Sequence, residues 1–327
     1  MALAHQIRHT PWLTASGQRE IGMRFGFWPC PWLPYTEVIE LCTHAEATGW
    51  DGVWVADHFM AAGSTPRPFP EAWTTLSAIG ARVPRVRVGT MVTGNTYRYP
   101  AVLAKMAATL DHITGGRVVL GLGSGWQENE HRQYGIEFSD VPGRLARLDE
   151  ACQVIKSLYT KPVSNFDGRY YQLTDATLDP KPVQQPLPLL IGGGGEKVTL
   201  KITAKYADEW NHWGDAATMA QKGAILDAHC AAVGRDPSEI QRTAAILLFI
   251  GRTKAEADAR WAEYSGGNEP PPSPGRIVLG SPAELRDIVA EFAEVGVDEI
   301  IVSDATLGEH AEKFEAMDLL MHEVAGR

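Results

Sequence analysis

The chain has 327 residues, with 30 lysines and arginines against 40 aspartates and glutamates, a formal charge of −10. That balance argues against a polyanion partner such as nucleic acid, which demands a basic face, and leaves room for one small anionic ligand in a local pocket. Apolar residues make up 44% and charged residues 21%, the mix of a soluble globular protein, and the length fits one large α/β barrel.

The four cysteines (Cys30, Cys42, Cys152, Cys230) form no CxxC pair, which points to a reducing, cytoplasmic setting. No apolar run reaches the roughly 18 residues that a membrane span needs. Residues 1–21 lack a signal-peptide core and read as an N-terminal extension. The only metal-like spacing, His5-x-x-x-His9, falls within it, so no metal is expected.

From residue 22 onward, short aliphatic runs alternate with amphipathic segments. Residues 23–28 read as the first strand, and Val38, Leu41, Cys42 and Ala45 recur at helical spacing until Gly49. A second strand at 53–56 is followed by a Gly/Pro loop (63–70) and a helix around 71–82. A third strand (86–92), a helix (101–113) and a fourth strand (118–122) come next. Leu145, Leu148, Cys152 and Ile155 then mark a long helix. Residues 161–188 break the rhythm, with Phe166-Asp-Gly-Arg169 resembling a hairpin turn, and read as an insertion.

The pattern resumes with strand 187–191, helix 196–206, strand 208–211, a helix around 218–233 and strand 244–250. A second irregular segment spans 265–280, with its Pro-rich run at 270–274. Helix 283–295, strand 299–302 and helix 309–324 finish the chain. Eight βα units with right-handed crossovers close most simply into a (β/α)8 TIM barrel, here one unit over 22–327 with the insertion between strands four and five. An open doubly wound sheet is disfavoured because no nucleotide fingerprint follows the first strand. Barrel chemistry gathers where strands end at the C-terminal face.

Strand two ends in Asp57-His58, a proton donor and polar orienter if not merely a capping pair. Strand four ends in Gly121-Leu-Gly-Ser-Gly-Trp126, which matches neither GxGxxG nor GxSxG and leaves a glycine-rich backbone that a flat ligand can approach closely. Strand five ends in Gly192, Gly193, Gly194 and Gly195, followed by Glu196-Lys197, a good anion seat at a helix start. Trp28, Trp126, Trp210 and Trp213 all fall at strand ends, and together they suit a planar or apolar ligand. The combination suggests a phosphate-bearing aromatic cofactor. Cys30, flanked by Pro29 and Pro31 with no evident base, reads as packing rather than as a nucleophile.

At this level of detail the chain resembles the luciferase-like monooxygenase superfamily, in the branch of actinobacterial F420-dependent oxidoreductases. The resemblance rests on Asp51-Gly-Val-Trp-Val-Ala-Asp-His-Phe59, Leu103-Ala-Lys-Met106 with Thr109-Leu-Asp111, and Gly121 to His131. It is extended by Phe166-Asp-Gly-Arg-Tyr-Tyr171, and by Leu190-Ile-Gly-Gly-Gly-Gly195 with Tyr206-Ala-Asp-Glu-Trp-Asn211.

The resemblance implies a TIM barrel with a flavin or deazaflavin ring across its mouth. It makes His58 the candidate proton donor, with Asp57 positioning either the cofactor or His58. A non-prolyl cis peptide near Met91–Val92 would support the ring, with Thr93 beside it. Gly192–Gly195 and Lys197 would hold the phosphate, Ser124, Gly125 and Asn129 would line the tail, and Trp126 would pack over the cofactor. Sugar-phosphate-oxidising relatives carry an acidic residue where this chain has Trp126, which suits a more apolar or aromatic partner. The implied reaction is hydride transfer between F420 and a small-molecule substrate. The alternative is an FMN-dependent monooxygenase, with Arg98 and Lys197 mildly favouring the longer anionic tail of F420; a non-catalytic flavin binder is a third reading. A homodimer is expected.

Overall fold

The chain is described here from a computed structural model covering residues 22–63, 67–269 and 275–327. The expected N-terminal extension with His5 and His9, and the Pro-rich run at 270–274, lie outside the described residues.

The elements run β1 (Arg24–Trp28), α1 (Tyr35–Ala47), β2 (Gly52–Val55), α2 (Ala72–Arg82), β3 (Arg87–Thr90), β4 (Thr93–Gly94), α3 (Pro100–Thr114) and β5 (Val118–Gly123). They continue with α4 (Glu128–Tyr134), α5 (Val141–Thr160), β6 (Ser164–Asp167), β7 (Gln172–Ala176), β8 (Leu189–Gly192), α6 (Thr199–Tyr206), β9 (Glu209–Trp213) and α7 (Ala216–Ala232). The last are β10 (Gln241–Ile250), α8 (Lys254–Ser265), β11 (Ile277–Gly280), α9 (Pro282–Glu294), β12 (Glu299–Ser303) and α10 (His310–Leu319).

Parallel pairing runs β1-β2-β3-β5-β8-β9-β10-β12 and returns to β1, where Arg24 to Trp28 register against Glu299 to Ser303. This is the closed eight-stranded barrel. β2, β5 and β12 are buried along their whole length, as strands covered on both faces must be. The segment between α5 and β8 forms an antiparallel hairpin, β6–β7.

Two segments differ from the sequence expectation. The region read as starting an irregular stretch at 265 is preceded by α8, and its end is β11, which pairs with the far half of β10. α8 buries only Ala257 and Trp261, a stripe too thin to register as helical periodicity. The seven-residue α4 is shorter than a periodicity window resolves.

The barrel interior is layered. At the N-terminal end of the strands, Arg87, largely shielded, pairs with buried Glu209 and with Glu299 (3.2 Å), while Trp54 Nε1 donates to Glu299 (2.9 Å). Above these charges Trp54, Met91, Val119, Leu190, Ala245 and Ile301 pack as the apolar plug. The charges and the apolar plug fill the lower barrel, and the cavity opens at the C-terminal mouth. Among the described residues, no helix is long and apolar enough to cross a membrane.

Candidate active site at the barrel mouth

A cavity of about 970 Å³ opens at the C-terminal ends of the strands, near the upper end of the size range for small-molecule sites. Its wall includes Asp57, His58, Met91, Val92, Thr93, Ser124, Gly125, Trp126, Gly192 and Gly193, bringing together most of the residues picked out from the sequence.

The peptide between Met91 and Val92 is cis. Val92 turns its methyls toward the glycines of β5 and β8: a Cβ on Gly192 would lie 2.8 Å from Val92 Cγ1, and one on Gly123 2.7 Å from Cγ2. The Gly-rich strand ends are thus shaped around this side chain. Gly125 adopts a φ of +80°, a conformation that favours glycine, and its carbonyl accepts a bond from Arg144 Nε.

His58 leaves the end of β2 and meets a partner the sequence reading missed. Its Nδ1 lies 2.8 Å from Oε1 of Glu130 on α4, and the Glu130 side chain is fully buried. Glu130 also accepts the Phe59 N–H at Oε2 (2.8 Å) and the Tyr97 hydroxyl at Oε1. Burial opposes ionisation of Glu130, but the bonds from His58, Tyr97 and Phe59 outweigh it and hold its carboxyl below the usual range. Burial, with Glu130 beside it, pushes the Tyr97 hydroxyl up, so it stays a donor. No described residue bonds His58 Nε2. Trp126 and Phe69 stand edge-on to the imidazole at 5.5 and 6.0 Å.

Asp57 does not bond His58. It forms a bidentate pair with Arg98 (2.6 and 3.1 Å) and accepts the Gly94 N–H (3.2 Å), while Arg98 also reaches Glu71, the N-cap of α2. Burial raises the Asp57 carboxyl and the Arg98 guanidinium pulls the other way. Arg98 is therefore committed inside the protein.

Other sequence-picked residues fall elsewhere. Asn129 is absent from the cavity wall; its Nδ2 donates to the Ala61 carbonyl (3.1 Å), as Gln127 Nε2 does to that of Met60 (2.8 Å), tying the loop after β2 to α4. Gly194, Gly195 and exposed Lys197 also lie off the wall. Gly194 packs under the His212 ring, and the turn before α6 carries the other two. Trp210 is corrected as well: it is fully buried, with Nε1 bonded to the Gly193 carbonyl, because β9 turns it outward toward the helices. Trp28 and Trp213, 5.2 Å apart, do line the mouth with Trp126. Burial and Asp304 push the Cys30 thiol up, away from nucleophile chemistry.

Glu130 and Tyr97 carried no sequence signal, since one of the two glutamates in Gln127-Glu-Asn-Glu-His131 and a loop tyrosine have no spacing relation to His58. Only the strand order β2-β3-β5, which sets the segments after β2 and β5 near one another, joins them.

The fold and site define a (β/α)8 barrel with a glycine-floored, aromatic-rimmed mouth and two histidines, His58 and His212, on its wall. The chain belongs to the luciferase-like monooxygenase family, whose model matches residues 1–318. It is 40% identical over 172 residues, covering 52% of this chain and 50% of the relative, to an F420-dependent glucose-6-phosphate dehydrogenase of Amycolatopsis mediterranei (strain U-32). It is 34% identical over 225 residues, covering 68% and 66%, to the protein of that name from Kineococcus radiotolerans. The chain thus spans about half the length of the first of these, and two thirds of the second. Among solved structures, an F420-dependent secondary alcohol dehydrogenase in complex with an F420-acetone adduct superposes with TM-score 0.79 at 22% identity, covering 94% of this chain and 100% of that one. A long-chain alkane monooxygenase superposes with TM-score 0.77 at 15% identity, covering 93% and 90%. At such identities these two neighbours speak for the fold alone.

Proposed function

We propose that this chain is an F420-dependent oxidoreductase that exchanges a hydride between the deazaflavin and a small organic substrate, with His58 handling the accompanying proton. The observation that carries the reading is His58 on the cavity wall, anchored through Nδ1 by a buried carboxylate and bonded at Nε2 by no described residue. A proton-transfer group needs that geometry, and a passive binding site does not. Relatives that match over half of the chain or more are named for F420 chemistry, in keeping with it.

The wall fits such a ligand. Gly123, Gly192 and Gly193 present backbone without side chains, and Met91–Val92 offers an apolar shelf for a ring. Ser124 and Gly125 stand where the tail would run. F420, when bound, supplies the hydride exchange at its ring. The residues of the chain orient it, exclude water through Trp28, Trp126 and Trp213, and hold or release a proton at His58 Nε2. Asp57 acts by fixing Arg98 and the loop after β3, not by touching His58.

We read residues 22–327 as one barrel-forming unit with 161–188 as its insertion, acting in the cytoplasm as a homodimer. With Arg98 engaged by Asp57 and Glu71, and Lys197 off the wall, neither basic residue selects F420 over FMN. Parallel fluorescence titrations with the two cofactors make that selection. Tight binding of F420 and its reduction or oxidation with an alcohol or carbonyl from a substrate panel is the expected result. Preference for FMN with oxygen-dependent turnover would replace the reading by the monooxygenase one, and binding of neither would end it.

A further inference from the structure

Three donors converge on one buried carboxylate. Glu130 receives the Phe59 N–H at Oε2 and, at Oε1, both the Tyr97 hydroxyl and the Nδ1 side of His58 (2.8 Å). An ionised carboxylate only accepts, so a ring nitrogen at hydrogen-bond distance from it must carry the proton. A lone pair on Nδ1 facing Oε1 would set two acceptors against each other in a buried site. Tyr97 gives no escape: its hydroxyl is 3.5 Å from Nδ1 and points its proton at Glu130.

We propose that Glu130 is the positioning residue that holds neutral His58 in the Nδ1–H tautomer, so that Nε2 is the nitrogen that takes up and returns the proton in the reaction. Free imidazole side chains in water favour the opposite tautomer, with the proton on Nε2, so the protein imposes the choice. The neutral enzyme then has a lone pair at Nε2, on the nitrogen that no described residue bonds. It is a proton acceptor at rest, suited to removing a hydroxyl proton from an alcohol-type substrate. In the reverse direction the ring must first become the imidazolium, with Nε2–H donating. Tyr97 helps by filling the rest of Oε1, but it does not set the tautomer.

The catalytic meaning rests on the function proposed above; the tautomer itself does not, and it is measured without cofactor. The 15N shifts of the imidazole in wild-type protein, at a pH where the ring is neutral and with His58→Gln for assignment, give the answer directly. A protonated, pyrrole-type Nδ1 and an unprotonated, pyridine-type Nε2 are expected; the reverse pattern overturns the proposal.

Glu130→Gln is the sharper arm. The Phe59 N–H keeps the new amide's oxygen at the Oε2 place, which turns the NH2 toward His58 and makes Nδ1 an acceptor. The tautomer should invert, and an unchanged Nδ1–H ring in that variant overturns the role of Glu130. Tyr97→Phe should leave Nδ1–H in place, and inversion there would transfer the role to Tyr97. Should Glu130→Gln fail to fold, wild type and Tyr97→Phe still decide. An F420 titration of the same samples reports separately on the cofactor: the expected tautomer without F420 binding would remove the function proposed above and leave this inference standing.

Discussion

Arg98 holds Asp57 by both of its carboxylate oxygens, at 2.6 and 3.1 Å, with the Asp57 side chain fully buried and the guanidinium nearly so. Through Glu71 the same arginine reaches the first turn of α2, so one side chain joins the loop after β2, the loop after β3 and a helix start. Removing one partner of a buried pair strands the other charge. Arg98→Ala should therefore lower stability by roughly 3–5 kcal/mol. Arg98→Lys should recover only part of it, because an ammonium cannot reproduce the forked contact. Denaturant unfolding of the three proteins measures this; a loss under about 1 kcal/mol in the alanine variant would show the pair to be incidental.

His58→Ala tests the proton role without touching the glycine floor. Binding of F420 should persist, while turnover with whichever substrate the panel identifies should fall about 10²–10⁴-fold, the usual worth of a general acid–base. Stopped-flow reduction or oxidation of the bound cofactor is the measurement. Full turnover in the variant would strip His58 of the assignment.

At Gly192 the backbone would accept alanine, but the new Cβ would sit 2.8 and 3.0 Å from the two methyls of Val92. Such overpacking costs about 1–3 kcal/mol. Gly192→Ala should lower stability and weaken cofactor binding together, since Val92 must shift into the cavity. Val92→Ala in the same chain should restore much of both. A double-mutant cycle read by thermal unfolding and by F420 titration checks the coupling, and strict additivity of the two changes would count against it.

Two tryptophans the sequence placed together should behave oppositely. Trp210 is 0% exposed and Trp126 65%. Trp210→Ala empties a packed core and should cost about 3–5 kcal/mol. Trp126→Ala should leave the melting temperature nearly unchanged and alter substrate affinity or selectivity, since its ring stands edge-on to His58 at the rim. Thermal unfolding with steady-state kinetics on both variants separates the two roles.

The contrast shows where a sequence is readable. The barrel emerged from buried, β-branched runs alternating with amphipathic ones, a signal that survives because each strand of a closed parallel sheet is apolar by itself. His58, Val92 and Gly192 were legible because the mouth of a barrel is built from strand ends. Trp210 was misplaced because neighbours in a strand face opposite sides, so Trp210 and Trp213 cannot share a surface. The His58–Glu130 pair was not legible because 72 residues separate its members and only the strand order β2-β3-β5 brings them to 2.8 Å. Asn129 and Lys197 were matched by motif position, whereas their side chains are directed by α4 and by the turn before α6.

The Glu130 carboxyl, held below its ordinary value near 4.5 by the three bonds it accepts despite its burial, makes a pH-dependent contribution with a definite sign. A carboxylate whose folded value is depressed stabilises the protein fully above the unfolded value. That contribution fades as pH falls through the folded one. Glu130→Gln cannot titrate at this position. The stability gap between wild type and Glu130→Gln should therefore not narrow between neutrality and about pH 4.5, and should narrow only below it. Urea unfolding across that range, at fixed ionic strength, reads the gap. A gap that closed well above pH 4.5 would mean that burial rather than its donors governs Glu130, and that the carboxylate takes up a proton in the range where His58 needs it ionised.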